Sequence, residues 1–306
     1  MKSKTVSRTA LRVATTLITL SCKDDWADRL PDGFADQTET LVRAAGVEGF
    51  DEAMLEEARS DASIDYFSRY EKWVPGVFEG LGRRKIFMQQ QVEQAVADGL
   101  TQIAVIGGGF DLLGVRAAKR WPELTCVEID HPDTQMAKRR GLEALGHPAN
   151  LHLAAADLSN TPLSDVMSKL AEDQAWRTDA PALFIAEGLF MYLRRRDVKR
   201  VFDEADYSTG AGSRIAFSHL NTLWRHNITR LIVAAMGEPW RSASSQDELS
   251  LYIGSGWTMR TCAPLENSRD LEGFAVAERL SRVADETQWQ RSRSFGHPDH
   301  DARLHV

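Results

Sequence analysis

The sequence predicts an α/β fold: a mostly parallel sheet covered on both faces by helices and closed by a final antiparallel hairpin. Three observations carry this. From residue 102 onward, short apolar runs alternate with segments of helical spacing, the pattern of repeated strand–helix units. The runs are continuously apolar rather than alternating, as strands buried on both faces are. The first run ends in Gly107-Gly108-Gly109, where a strand passes into a helix.

Taken in order, residues 1–100 read as helical. The segment 48–62 is acidic and helix-prone, 67–81 is aromatic-rich with Trp73, Pro75 and Phe78, and 83–100 repeats Ile86, Val92 and Val96 at helical spacing before Gly99 stops it. Strands are expected at 102–107, 124–130, 150–155, 181–187 and 213–219. Helices fill 113–120, 133–145, 163–171 and 196–205, and His131-Pro132 ends the second strand. Residues 220–256, with Trp224, Met236, Pro239 and Trp240, break the alternation. That is too long for a plain connection and reads as a lid inserted over a site. The stretches 257–262 and 274–280 form the final hairpin, and the tail after Arg282 is polar. The expected division is an N-terminal helical cap over 1–80 and a second unit over 81–306.

Composition narrows the function classes. The chain has 306 residues, 43% hydrophobic and 26% charged, with a formal net charge of −7. That is enough apolar content to fill a core. The acidic balance argues against a nucleic-acid partner, and no apolar run reaches the roughly 18–20 residues a membrane span needs. Three distant cysteines, Cys22, Cys126 and Cys262, fit neither a disulfide framework nor a zinc site and point to a reducing, cytoplasmic setting. Lys2, Lys4, Arg8 and Arg12 ahead of Val13–Leu20 loosely resemble a secretory signal. Against that reading, Arg12 interrupts the apolar stretch. The alternative is an amphipathic helix with Leu11, Ala14, Leu17, Ile18 and Cys22 on one face.

The glycine loop admits a ligand close to the backbone, but two phosphate-binding readings fail. No Gly-Lys-Ser/Thr follows at P-loop spacing, and Leu112 stands where a dinucleotide loop has its third glycine. Asp130 ends the next strand about 20 residues on, where an acid accepts hydrogen bonds from a ribose diol. It also suits an N-cap before Pro132. Glu128 lies on the same strand face. Asp157 ends the third strand, as an adenine contact or a turn residue. Glu187 ends the fourth, beside Gly188. Acids at strand ends attract a cation and repel phosphates. A positively charged nucleoside, S-adenosylmethionine, fits them.

These residues resemble the leucine carboxyl methyltransferase family. The likeness runs from Arg83 to Leu220 through Val105-Ile-Gly-Gly-Gly-Phe-Asp111, Val127-Glu-Ile-Asp-His-Pro132 with Lys138, Ala156-Asp-Leu158 and Ala186-Glu-Gly-Leu-Phe-Met-Tyr-Leu193. Thr9-Ala10 and Val13-Ala14 are similar to the family's N-terminal helix. The resemblance implies a Rossmann-like class I methyltransferase sheet. It also implies O-methyl transfer from S-adenosyl-L-methionine to a small-molecule acceptor, as in bacterial polyketide pathways of secondary metabolism. It places Gly107, Gly108 and Gly109 against the methionine part, Asp130 on the ribose, Asp157 and Leu158 about the adenine, and Glu187 by the amino-acid and sulfonium end. Arg84 takes the place of the family's carboxylate-binding arginine. The chain departs from the family's Asp-Thr-Arg, since Leu112 and Leu113 follow Asp111. Gln89 stands for an acid and Lys85 for a frequent Thr. Such losses bear on the acceptor and on activity.

A carboxylate acceptor would need no general base, whereas a hydroxyl would. His219 and His226 are candidates, each with a structural role as the alternative. Tyr192, Glu187, Asn221 and Trp224 are candidate contacts at the reacting end, with core packing the favoured role for Trp224. Two rival readings are a relative that binds the cofactor without turnover and an NAD-dependent oxidoreductase, which Leu112 and the acidic crevice oppose. His297, His300 and His305 in the tail form no convincing metal set, and Arg194-Arg195-Arg196 reads as solvated.

Overall fold

The first helix shows how the N-terminal sequence is used. In the computed structural model, which describes residues 6–48, 50–224, 239–254, 256–263, 265 and 269–280, Arg8–Ser21 forms helix α1, opened by the Ser7 side chain accepting from the Ala10 amide. The predicted stripe of Leu11, Ala14, Leu17 and Ile18 is buried, whereas Cys22 is a half-buried C-cap. Helix α2 is Phe34–Ala45. The helix-prone segment 48–62 is divided between Glu52–Ala58 (α3) and the start of Asp61–Trp73 (α4). The side chains of Asp51 and Ser60 each cap the turn that follows them. Ser60 therefore starts a new helix rather than extending the old one. Beyond α4, Pro75 cannot continue a helix. The Glu71 carboxylate accepts the amides of Gly76, Phe78 and Glu79. That cap starts helix α5, Glu79–Ala97, earlier than the residue 83 expected. Gly99, at φ +86°, follows its end as expected.

The sheet follows the predicted alternation. Its parallel strands are Gln102–Ile106 (β1), Thr125–Asp130 (β2), Leu151–Ala155 (β3), Leu183–Ala186 (β4) and Arg214–Leu220 (β5). Between them run Leu113–Arg120 (α6), Pro132–Leu145 (α7), Leu163–Glu172 (α8) and Arg195–Tyr207 (α9). Trp257–Cys262 (β6) and Glu272–Arg279 (β7) form the antiparallel hairpin, with β7 against β5. The seven strands lie in the order β3-β2-β1-β4-β5-β7-β6. The chain thus steps outward from β1 to β3, then restarts at β4 on the other side. The carboxyl ends of β1 and β4 flank this switch point, where open α/β sheets bind ligands.

Each strand feeds both cores because its side chains alternate faces. Ile103, Val105, Leu183, Ile185 and Ala216 join one cluster with Leu11, Leu17, Trp26, Leu41, Phe87 and Val92 from the N-terminal helices. Ala104, Ile106, Phe184, Ala186, Ile215 and Phe217 join another with Met167, Phe202 and Trp257. In the first cluster α2 crosses α7 at Gly141, where an added Cβ would lie 2.4 Å from the Leu41 carbonyl oxygen. Backbone cannot yield there as a flexible side chain can. Gly141→Ala should therefore cost about 1–3 kcal/mol, read as a lower urea midpoint at unchanged slope.

Within 220–256, the described residues include a short 3-10 turn, Thr222–Trp224, and a helix, Gln246–Leu249, opened by a capping box at Ser245. The chain at 239–245 lies against the ends of β4 and β5: the Arg241 amide donates to the Met191 carbonyl at 2.6 Å and Ser244 to Leu220 at 2.9 Å. Residues 225–238 and the tail with His297, His300 and His305 lie outside the described residues. Among the described residues, no helix is long and apolar enough to cross a membrane.

Candidate active site

The site begins where β1 ends. Gly107 and Gly109 have φ of +72° and +48°, which glycine adopts without the Cβ penalty. The Gly107 amide donates to the Ile129 carbonyl at 2.8 Å, and Asp111 N–H closes the turn onto Gly108. Asp111 then caps α6, its Oδ1 accepting the Leu113 amide at 3.0 Å. Beneath the loop Glu128 and Lys138, each 1% exposed, form an ion pair of 2.5 Å. Gly114 lets α6 pass over this pair, because a Cβ there would lie 2.4 Å from Glu128 Oε1. Glu128 is thus a support of the loop rather than part of the crevice surface. Burial pushes its carboxyl pKa above the ordinary value, against the pull of Lys138.

Asp130 occupies the end of β2 as predicted. One carboxylate oxygen accepts the Gly109 amide and the other the His131 amide, both at 2.6 Å. Those bonds orient it and leave each oxygen further acceptor capacity. The N-cap before Pro132 is His131, which accepts the Asp133 amide, so Asp130 is not used there. Burial raises its pKa, opposed by the two amides and Lys138.

Across the switch point, Arg84 of α5 is buried between two carboxylates. Its Nε donates to Glu187 Oε1 at 2.9 Å and its Nη1 to both oxygens of Glu272 at 2.7 and 3.0 Å. Gly188, at φ +61°, makes room: a Cβ there would come within 3.1 Å of the guanidinium. Burial disfavours the Arg84 charge, yet Glu272 and Glu187 outweigh it and its pKa stays above the ordinary value. Lys85 pairs with Asp111 and, at 2.6 Å, with Glu187. Burial raises the Glu187 pKa against Lys85 and Arg84, while Lys85 holds Asp111 below the usual carboxylate range despite its burial.

A cavity of about 560 Å³ unites these groups. Its charged end carries Gly107, Gly108, Gly109, Asp130, Arg84, Lys85 and Glu187; its apolar end carries Phe67, Tyr66, Tyr70, Val77, Met191, Tyr192 and Trp240. Ala10, Val13 and Leu17 of α1 close one side. Glu187 Oε2 is buried without a hydrogen-bond partner among the described residues. An ammonium group of a ligand would satisfy it, and the positive-φ glycines leave a cradle without side chains. The residues present therefore fit S-adenosylmethionine.

Several expected residues lie elsewhere. Asp157 and Leu158 follow β3 but do not line the cavity; Asp157 caps its own turn through Ser159 and Asn160. His219 is set in β5, its Nδ1 bonded to the Ser244 carbonyl at 3.0 Å and its ring filling the space left by Gly273. Burial lowers its pKa, and it does not line the cavity. Asn221 accepts the Leu223 amide, and the buried Trp224 packs near Trp240 with its indole N–H on the Arg269 carbonyl; neither lines the cavity. His226 lies outside the described residues. Sequence reading missed Glu272 and the α4 aromatics. Glu272 has no local signal, being 188 residues from Arg84.

The sequence profile of the leucine carboxyl methyltransferase family matches residues 10–206, the family that the motif spacing resembles. A "putative S-adenosyl-L-methionine-dependent methyltransferase" of Mycolicibacterium gilvum is 30% identical over 186 residues, 58% of this chain and 57% of that protein. A protein of the same name from Mycobacterium avium is 27% identical over 253 residues, covering 78% of this chain and 79% of the relative. Among solved structures, a methyltransferase, itself named putative, from Thermobifida fusca superposes with a TM-score of 0.57 at 15% identity, over 80% of this chain and 94% of that one. A duf574 family protein of Streptomyces avermitilis gives 0.55 at 15% identity, over 79% and 96%. These two likenesses bear on the fold.

Proposed function

This chain belongs to the leucine carboxyl methyltransferase family, and from that premise we propose that it transfers a methyl group from S-adenosyl-L-methionine to an oxygen of a small, largely apolar molecule, with a carboxylate or polyketide-type acid as the acceptor. One observation carries the reading. A single cavity joins a charged end, built on the glycine loop, Asp130 and the Arg84–Glu187 pair, to an apolar aromatic end.

When bound, the cofactor supplies a methyl group already activated on a sulfonium. The chain's task is then to bind, align and exclude water. Asp130 takes the ribose hydroxyls. Gly107, Gly108 and Gly109 let the methionine part lie against backbone. Arg84 receives a carboxylate and Glu187 an ammonium. Tyr192, Met191 and Trp240 hold the acceptor. Among the described lining residues there is no histidine, and Asp111 and Glu187 are engaged in ion pairs. An acceptor that arrives ionised suits that lining, since it needs no proton removed. The N-terminal helices act as a cap over the sheet, in a cytoplasmic enzyme.

Calorimetry with S-adenosylhomocysteine and tritiated methyl transfer to a panel of apolar carboxylic acids and phenols test this. The expected result is saturable binding and a base-labile methyl ester. A base-stable product would redirect the acceptor to a phenol. Binding without transfer to any acceptor would favour a non-catalytic relative, the reading that Leu112 and Leu113 motivate. Binding of NADH but not S-adenosylhomocysteine would overturn the cofactor.

A further inference from the structure

Lys85 is a buried cation that the roles above leave unassigned. It is 8% exposed and lines the cavity beside Arg84. Its ammonium reaches two carboxylates from different elements: Asp111, which follows the glycine loop, and Glu187, which follows β4. Leu112 and Leu113, which follow Asp111, are buried in the first core and bring no charge. Two cations, Arg84 and Lys85, therefore face three carboxylates, Asp111, Glu187 and Glu272. Without Lys85, Glu187 and Glu272 would share Arg84, and Asp111 would lose its direct partner.

Resting on the cofactor reading above, we propose that Lys85 is a positioning residue for the amino-acid end of the cofactor. It ties the loop after β1 to the end of β4, and it fixes Glu187 so that one carboxylate oxygen remains for the ligand's ammonium. The bond to Lys85 uses Oε1, which Arg84 also contacts, and Oε2 is the oxygen left without a partner among the described residues. Lys85 thereby selects for a ligand with a charged amino-acid end over a bare nucleoside thioether. The charged groups around it are Arg84 on its own helix, Asp111 and Glu187, with Glu272 behind Arg84 and Asp130, Glu128 and Lys138 about the glycine loop. Burial already raises the Glu187 pKa, and Lys85 is the largest influence opposing it. Removing Lys85 must raise it further.

The test compares S-adenosylhomocysteine with 5′-methylthioadenosine, which lacks the amino-acid end, by calorimetry on the full chain. Lys85→Met should weaken S-adenosylhomocysteine at least about tenfold and 5′-methylthioadenosine less than about threefold. In this variant S-adenosylhomocysteine affinity should fall more steeply on acidification than in the wild type, as Glu187 takes up a proton. Lys85→Arg should restore most of the affinity. Equal losses for the two ligands, an unchanged S-adenosylhomocysteine affinity, or the same pH profile as wild type would overturn the assignment. If Lys85→Met does not fold, Lys85→Gln provides the same contrast between the two ligands, and the same results support or overturn the assignment. Wild-type protein that binds neither ligand overturns the cofactor reading, and this proposal with it.

Discussion

Asp130→Ala should weaken S-adenosylhomocysteine binding by about 100-fold or more, measured by calorimetry. Two hydrogen bonds from ribose hydroxyls to a carboxylate are worth about 1.5–3 kcal/mol each, and about 1.4 kcal/mol is a factor of ten in affinity. The variant also leaves the Gly109 and His131 amides without the carboxylate they now donate to, so the glycine loop loses its anchor to β2. Asp130→Asn separates the two contributions. It keeps the shape and one acceptor oxygen but turns an NH₂ toward one of those amides, and an intermediate loss is expected. An affinity unchanged in both variants would remove Asp130 from the site. A fold check by circular dichroism distinguishes lost binding from lost structure.

Lys138→Met should be the most destabilising of the substitutions considered, by about 3–5 kcal/mol, because it leaves the Glu128 carboxylate buried without its cation. The pH dependence follows from the direction of the Glu128 shift. A carboxyl group whose folded pKa lies above its unfolded value binds more protons in the folded state, so it favours folding at low pH and the benefit is lost as pH rises through the folded pKa. Burial already raises the Glu128 pKa, and Lys138 is the chief opposing influence. Urea unfolding of Lys138→Met should therefore show its deficit growing from about pH 5 to about pH 8, starting above the ordinary glutamate value. Adding Glu128→Gln removes the stranded charge and should recover most of the loss. A pH-independent deficit would mean that the methionine is costly through packing alone. Because the pair underlies Gly108 and Gly114, the same variant should also loosen the glycine loop.

Much of the fold was legible because its signals are local. Strand β1 is five apolar or buried residues running into glycines, and the glycine loop, Asp130 and Glu187 line one cavity as their order and spacing imply, with Arg84 placed there by the family resemblance alone. The departures have local causes of another kind. Ser60 and Glu71 divide and re-start the N-terminal helices through side-chain caps, which apolar periodicity does not register. His219 is polar, near the expected lid and next to apolar residues, all of which describe a site residue as well as a core one. Its role depended on what faces it: the Ser244 carbonyl and the absent side chain of Gly273.

The chain's own order thus settles the sheet and the family, because a strand end and the turn after it carry their chemistry within a few residues. Folding settles the rest. Glu272 meets Arg84 only after the antiparallel β7 is laid beside β5. Tyr66, Phe67 and Tyr70 become cavity wall only because α4 packs at its edge. The charge state of Glu187 depends on its burial among Lys85, Asp111 and Arg84. Contacts between distant segments and the dielectric around a group are properties of packing, and no spacing of residues along the chain encodes either.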